Sequence, residues 1–137
     1  MKLINKNNFK LSVIFVLSFI LNLIWENFHS KLYTHYQGGP ITEIILLRAA
    51  LVDALIITAI AIIFIKIDYF KQNLWWTIII GVIIAIGIEL YALSTDRWTY
   101  NEMMPIIPII NTGLTPTIQL GLLSYLTFKI AKLQNSS

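Results

Sequence analysis

The sequence contains no cysteine, so disulfide bonds, thiol nucleophiles and thiolate metal sites are all excluded. Charged residues are also scarce: they make up 12% of the 137 residues, about half of their share in an average soluble domain. In their place, 57% of the residues are hydrophobic, and the mean hydropathy is +0.74. This composition is typical of a chain that folds in lipid.

The net charge of +3 does not indicate a nucleic-acid partner. The lysines stand beside apolar segments and do not form a basic patch with interleaved aromatic residues. We therefore expect no binding of nucleic acid, and we interpret the lysines as determinants of membrane topology.

Four apolar stretches are long enough to cross, or nearly cross, a hydrocarbon core about 30 Å thick. They cover residues 11–28, 44–65, 74–94 and 113–130. They predict an all-α polytopic membrane protein, a single domain over residues 1–137 built as a bundle of four transmembrane helices. Lysines precede the first stretch as in a signal peptide, but it ends in Trp25 and Glu26 without a small-residue cleavage site, so we expect an uncleaved helix.

The distribution of Lys and Arg predicts the orientation of these spans, because cytoplasmic loops carry an excess of both. One side of the predicted bundle has only Lys31, Arg48 and Arg97. The other side has seven lysines, namely Lys2, Lys6, Lys10, Lys66, Lys71, Lys129 and Lys132. We therefore predict a multi-pass protein of the bacterial cytoplasmic (inner) membrane with both termini in the cytoplasm.

Polar and acidic side chains occur inside the predicted spans, where a charged residue costs about 2.5–3.5 kcal/mol on insertion scales. Asp53 shares a helix face with alanines, and Glu89 follows Gly81 and Ala85 at steps of four residues, so both acids should point into the bundle. Helix rise puts them at similar depth in the outer half. The remaining polar groups are Ser18, Asn22, Glu26 and His29 on one face of the first helix, and Gln119 on the fourth. The sequence therefore predicts one pocket to which all four helices contribute.

Glu26, Asp53 and Glu89 are the predicted catalytic residues, because burial favours the protonated form of a carboxyl group and lets it act as a general acid. Another carboxylate or His29 would take a proton back. Arg48 or Arg97 would hold a phosphate or carboxylate head group, although the arginines could equally neutralise nearby acids or meet lipid phosphates. The predicted substrate-binding residues are Trp25, His29, Arg48, Arg97, Trp98, Tyr100 and Gln119.

The leading interpretation is binding of a lipid or isoprenoid-like molecule, with acid–base chemistry on it, and other roles stay open. Glu26 and His29 have the Glu-x-x-His spacing of di-iron bundles, but those bundles use two such motifs and this chain has one, so we expect no metal or other cofactor. The acids could relay protons in a small transporter or proton-coupled carrier. Alternatively, the small-residue helix faces could dock onto a partner subunit, or onto a second copy in a homo-oligomer, without any chemistry.

The segment from Asp96 to Pro116, which runs from the end of the third span into the start of the fourth, contains Trp98 and Tyr100, followed by Pro105, Pro108 and Pro116. Three prolines forbid a regular helix there, and the aromatic residues suit a membrane interface. We expect this segment to form a semi-rigid cap at the outer end of the bundle.

Short motifs spread over most of the chain carry a resemblance. They are Trp25-Glu26, Arg48 to Asp53, Glu89, Arg97-Trp98-x-Tyr100, Met104-Pro105, Pro108, Gly113-Leu114-x-Pro116 and Gln119. Together they resemble a family of small, uncharacterised four-helix bacterial integral membrane proteins. More distantly, Asn22-x-x-Trp25-Glu26 resembles a segment of integral-membrane terpene cyclases, and Trp98-x-Tyr100 with the prolines after it is similar to membrane lycopene cyclases. The resemblance to these cyclases implies protonation of an isoprenoid substrate by membrane-embedded acids.

Overall fold

The computed structural model of the protein describes residues 5–135, so Lys2, one of the lysines that predict the orientation, lies outside the described residues. Five α-helices make up most of the described chain, which confirms the predicted all-α class. They are α1 (Lys6–His29), α2 (Glu43–Lys66), α3 (Asp68–Gln72), α4 (Trp76–Ser94) and α5 (Leu114–Ile130). A 3-10 turn follows α1 (Ser30–Leu32), and another follows α5 (Leu133–Asn135).

Within residues 5–135, three helices are long and apolar enough to cross a membrane: α1 together with its 3-10 turn, α2 and α4. α5 corresponds to the fourth predicted span and has 17 residues. It buries a larger share of its side chains than the three long helices do, including the polar Thr117, Gln119, Ser124 and Thr127. α5 is therefore the central helix of the bundle.

Local sequence features suit the starts of α1 and α5. α1 starts at Lys6, five residues before the predicted apolar stretch, because Asn5 Oδ1 accepts the Asn7 N–H at 3.0 Å and the polar residues 6–10 continue the helix. α5 has Pro116 in its first turn, where backbone N–H groups have no partner within the helix, so the missing donor is tolerated. The other predicted boundaries agree with the observed helices to within two residues.

α1 packs mainly on α2, and α4 mainly on α5, while α5 also contacts α1 and holds the two pairs together. α4 and α5 approach very closely at two glycines: a Cβ atom on Gly81 would lie 2.4 Å from Gly121 N. Small residues allow such close helix contacts in membranes. α2 and α4, in contrast, hardly touch each other, and a gap remains between them along the side of the bundle.

Two short antiparallel strand pairs close the end of the bundle at which α1 and α4 end. β1 (Tyr33–Tyr36) pairs with β2 (Trp98–Tyr100), and β3 (Ile106–Ile107) pairs with β4 (Thr112–Gly113). Backbone hydrogen bonds fasten the first pair at both ends: Asn101 N–H donates to Leu32 O at 2.8 Å, and Gln37 N–H donates to Arg97 O at 2.6 Å. Residues 33–36 therefore form half of a cap that the sequence predicted from the later segment alone.

The opposite end of the bundle brings the beginning of α1 and the turn after α5 together. Lys10 Nζ donates to Lys132 O at 2.6 Å. Beside this contact, Phe70 of α3 stacks on Phe64 with ring centroids 5.0 Å apart, and Phe64 also contacts Phe128. The first turns of α1, the α3 segment and the end of α5 therefore share one end of the molecule, away from the strand cap.

Candidate functional site

A cavity of about 700 Å³ lies between α2 and α4 beneath the β1–β2 pair. Its size falls within the range of about 300–1,000 Å³ that is usual for small-molecule sites. Val52 of α2 and Ile83 and Ile88 of α4 line it, yet they remain 52%, 64% and 36% exposed. The cavity therefore opens sideways, through the gap between the two helices, and we refer to it as the α2–α4 crevice.

Gln119 of α5 joins three helices at the α2–α4 crevice. Its Nε2 lies 2.9 Å from each of three oxygen atoms: Asn22 Oδ1 and Glu26 Oε1 of α1, and Asp53 Oδ2 of α2. An amide nitrogen carries two hydrogen atoms, so three acceptors compete for two donors. The Glu26 and Asp53 carboxyl groups thus meet at one nitrogen atom, and within residues 5–135 neither forms an ion pair with Lys or Arg.

His29 extends this network at the end of α1. Its Nε2 lies 2.9 Å from Glu26 Oε2, and its Nδ1 lies 3.1 Å from Thr115 Oγ1. The three-residue spacing puts Glu26 and His29 on one face of α1, as their positions in the sequence predict. The imidazole is only 6% exposed, so it is held in direct contact with the Glu26 carboxyl group.

Glu89 faces the crevice from α4, and two donors from β2 hold its carboxyl group. Trp98 Nε1–H donates to Glu89 Oε2 at 3.1 Å, and the Tyr100 hydroxyl donates to the same oxygen at 2.5 Å. Alternate residues of a strand lie on one side, which is why Trp98 and Tyr100 reach the acid together. The surroundings of Glu89 therefore differ from those of the Glu26–Asp53 pair, which shares its donors.

Two tyrosines of the cap keep their hydroxyl protons beside these acids. Burial raises the pKa of Tyr33 above its usual value of about 10, and the negative charge of Glu89 raises it further. Burial also raises the pKa of Tyr100, as does its hydrogen bond to Glu89. Both phenols therefore stay protonated at physiological pH, and the Tyr100 hydroxyl donates its proton to the hydrogen bond with Glu89.

Basic side chains line the mouth of the crevice. They are Arg48 of α2, Arg97 in the turn before β2, and His35 of β1. Within residues 5–135, neither guanidinium forms an ion pair with a carboxylate, and Arg97 instead lies 6.0 Å from the centroid of the Tyr91 ring. The arginines therefore do not neutralise the acids of the crevice.

The structure brings most of the predicted site residues together. Those that line the crevice are Glu26, His29, Arg48, Asp53, Glu89, Arg97, Trp98 and Gln119. Tyr100 is not part of the lining and reaches the site through its hydrogen bond to Glu89. Trp25 does not line the crevice either; it packs against the hydrophobic core, and its buried Nε1 has no hydrogen-bond partner.

Sequence reasoning missed the contribution of β1. Tyr33, His35 and Tyr36 all line the crevice, and the Tyr36 ring stacks on Trp98 with centroids 6.2 Å apart. The run Tyr-Thr-His-Tyr, rich in residues that favour strands and placed before a Gly-Gly-Pro turn, was a usable signal for a strand. Its pairing with Trp98–Tyr100 was not readable, because the two segments are far apart in the chain.

The Glu-x-x-His spacing does not produce an open set of metal ligands. Glu26 and His29 bind each other. No group of three or more His, Asp or Glu side chains within the part of the chain that the structure describes is arranged to hold a metal ion.

Comparison with protein-family models, with curated proteins and with solved structures finds no significant match to this chain. The function is therefore argued from the site itself, since fold alone does not specify activity.

Proposed function

We propose that the protein binds a lipid or isoprenoid-like molecule in the α2–α4 crevice and acts on it by acid–base chemistry. One observation carries the proposal: Glu26, Asp53 and Glu89 converge on a mainly apolar cavity, and none of them forms an ion pair with a Lys or Arg of residues 5–135. Acids in an apolar interior are costly, and in membrane proteins they mark functional sites by default. Retaining these acids despite that cost is expected if their protons are used in a reaction.

We also propose that α5 is a fourth membrane span and that both termini are cytoplasmic in a bacterial inner membrane. At 1.5 Å per residue α5 is about 26 Å long, close to the thickness of the hydrocarbon core. The Lys10–Lys132 contact joins the first and last spans at one end of the bundle, as an even number of crossings requires. Fused to the C-terminus, a reporter enzyme that works in the cytoplasm is expected to be active, and one that works only in the periplasm is expected to be inactive. Activity of the periplasmic reporter would contradict this topology.

The three acids divide into a proton donor and a proton acceptor. Glu26 and Asp53 share the donors of Gln119, and two carboxyl groups this close in an apolar site favour holding one proton between them. Glu89 stands apart from this pair, and its Oε2 has donors of its own in Trp98 Nε1–H and the Tyr100 hydroxyl. The Glu26–Asp53 pair is the proposed acid, and Glu89 is the proposed base.

The simplest reaction that uses these roles is movement of a carbon–carbon double bond. The acid pair adds its proton to one carbon of the double bond, which leaves a carbocation on the other carbon. Glu89 removes a proton from the carbon next to the cation, and the electron pair of that C–H bond forms the new double bond. The substrate gains one proton and loses one, so substrate and product have equal mass. The step leaves Glu89 with one extra proton and the acid pair one proton short, so the proton on Glu89 must pass back to the pair before the next turnover, and His29, which contacts Glu26, is placed to deliver it.

The proposal is tested by comparing lipid extracts of cells that express the wild type, Asp53→Asn or Glu89→Gln. Chromatography with mass spectrometry is expected to find two isomers of equal mass, the product enriched in wild-type cells and the substrate in both variants. General acid–base catalysis contributes about 10²–10⁴-fold, so conversion should fall at least about 100-fold. The same molecules should be retained by the detergent-purified proteins.

Glu102→Gln is the matched control, because Glu102 is an exposed carboxyl group outside the crevice. This variant should convert the substrate as the wild type does. Variants of Asp53 and Glu89 that purify normally and leave the lipid profile unchanged would contradict the proposal. If both variants fail to insert, the acids are structural and the proposal also fails.

A proton-coupled carrier has less support. In the half of the bundle nearer the Lys10–Lys132 contact, the buried polar groups of the described residues are hydroxyls, among them Thr77, Ser124 and Thr127, and no ionisable side chain is buried there. Proton-driven flux in proteoliposomes that Asp53→Asn abolishes would favour the carrier. Purification with a stoichiometric partner, or as a homo-oligomer, without bound lipid would favour a non-catalytic subunit.

A further inference from the structure

We infer that the α2–α4 crevice takes a single-chain amphiphile with an anionic head group, and that this molecule reaches the site sideways through the gap between α2 and α4. The inference rests on the proposed function and names its substrate class. Three features carry it: basic groups without carboxylate partners at the mouth, the order of polarity along the crevice, and empty space beside Gly87.

The mouth of the crevice is built to bind an oxyanion. Arg48 and Arg97 line it and have no carboxylate partner within residues 5–135. His35 lies in β1 just before the turn, and its Nδ1 accepts the Gly38 N–H at 3.0 Å, so Nε2 carries the hydrogen of the neutral ring and remains a donor. Guanidinium groups bind phosphate and carboxylate groups through paired hydrogen bonds, so these side chains suit an anionic head group.

Polarity changes in a fixed order along the crevice. Arg48 precedes Asp53 by five residues on α2, which corresponds to about 8 Å along the helix axis. On α4, Ile83 lies six residues before Glu89, or about 9 Å further from the cap. If the head group of a ligand binds the arginines, a carbon–carbon double bond about 8 Å from that head group would lie beside the acids. The tail of the ligand would lie beyond the acids, among isoleucines.

The space for the tail lies beside Gly87. A Cβ atom added to Gly87 would meet nothing within 4 Å, although this residue lines the crevice in the middle of an apolar helix. The gap runs between one pair of helices and so offers one groove, which suits a single chain. Its exposed apolar edges, Val52 and Ile83, allow the chain to slide in from surrounding lipid.

Binding is tested with the full-length protein by native mass spectrometry from detergent. The probes are geranylgeranyl monophosphate, geranylgeraniol as the chain without the charge, and inorganic phosphate as the charge without the chain. We expect the monophosphate to bind at least about tenfold more tightly than either of the others, because it uses both the arginines and the groove. Equal affinity for inorganic phosphate would overturn the inference and indicate a site for a free anion.

Two sets of variants separate head group from tail. The double variant Arg48→Gln/Arg97→Gln should weaken binding of the monophosphate about 10- to 100-fold and leave binding of the alcohol unchanged. The control is Lys31→Gln, at an exposed lysine of the same end, which should change the binding of neither probe. Gly87→Phe should fill the groove and weaken both prenyl probes at least about tenfold, whereas Ile79→Phe, outside the crevice on α4, should not. Unchanged affinity in either set would overturn the inference.

The acid variants distinguish this inference from the proposed reaction. Asp53→Asn and Glu89→Gln should still bind the monophosphate, because the charged head and the tail contact other residues. If the wild type binds the probe as described but the acid variants convert the cellular lipid normally, the acid–base proposal fails and the binding inference stands. If the wild type converts a lipid in cells but does not prefer the monophosphate, the inference fails and the reaction stands.

Discussion

Replacing Gln119 with leucine is expected to lower the free energy of unfolding by about 3 kcal/mol. Leucine fills a similar space but donates no hydrogen bond, so Asn22 Oδ1, Glu26 Oε1 and Asp53 Oδ2 lose the amide nitrogen that now lies 2.9 Å from each of them and shares its two N–H groups among them. Acceptors left unpaired in the interior bear their full desolvation cost, which is largest for carboxylates. The measurement is the midpoint of thermal unfolding of the purified variant in detergent.

Two comparisons separate this mechanism from a simple misfit of the leucine. Gln72→Leu, on the exposed face of α3, should change the free energy of unfolding by less than about 0.5 kcal/mol. Adding Asp53→Asn to Gln119→Leu removes one carboxyl group and supplies two N–H donors, so the double variant should recover part of the loss. A Gln119→Leu protein as stable as the wild type would show that the shared donor does not hold the helices together.

Replacing Gly81 with valine is expected to have an effect of similar size, a loss of about 3 kcal/mol, at the upper end of the usual cost of overpacking. The new Cβ atom would lie 2.4 Å from Gly121 N and 2.8 Å from the Leu120 carbonyl carbon. These are backbone atoms of α5, which cannot rotate aside as a side chain can. α4 would have to move away from α5, carrying Glu89 away from Gln119. Thermal unfolding in detergent again provides the measurement.

Gly87→Val is the matched control, six residues further along the same helix. Its Cβ atom would meet no other atom within 4 Å, so the protein should keep its unfolding midpoint. Both substitutions change helix propensity equally, so the difference between their unfolding midpoints reports the contact between α4 and α5. Equal midpoints for the two variants would refute the close approach at Gly81.

Hydropathy and periodicity predicted the helices and much of their inner faces. Gly81, Ala85 and Glu89, spaced by four residues, lie on the buried face of α4. The polar stripe of α1 likewise brings Asn22, Glu26 and His29 to the interior or the site. These features are local, since the period of a helix fixes which residues share a face. The convergence of the acids followed from adding the helix rise to that period.

Features that depend on how one helix packs against another could not be predicted from the sequence. Glycine permits a close helix contact and equally permits an open space, and the sequence does not distinguish the two. Gly81 serves the first purpose and Gly87 the second, although both lie in the same apolar helix. The pairing of β1 with β2, and the position of Trp25 in the core instead of the crevice, likewise depend on contacts between distant segments.

The gap between α2 and α4 exposes the crevice to the lipid or detergent that surrounds the protein. Because the two helices hardly touch, residues 5–135 provide no wall on that side, and in a bilayer the acyl chains of neighbouring lipids would provide it. Bilayer thickness and the saturation of the acyl chains would then influence how much water reaches the carboxyl groups. A short-chain detergent would seal the same opening poorly and let water reach Asp53 and Glu89. For this protein the choice of solubilising medium would thus change what surrounds the carboxyl groups of the crevice.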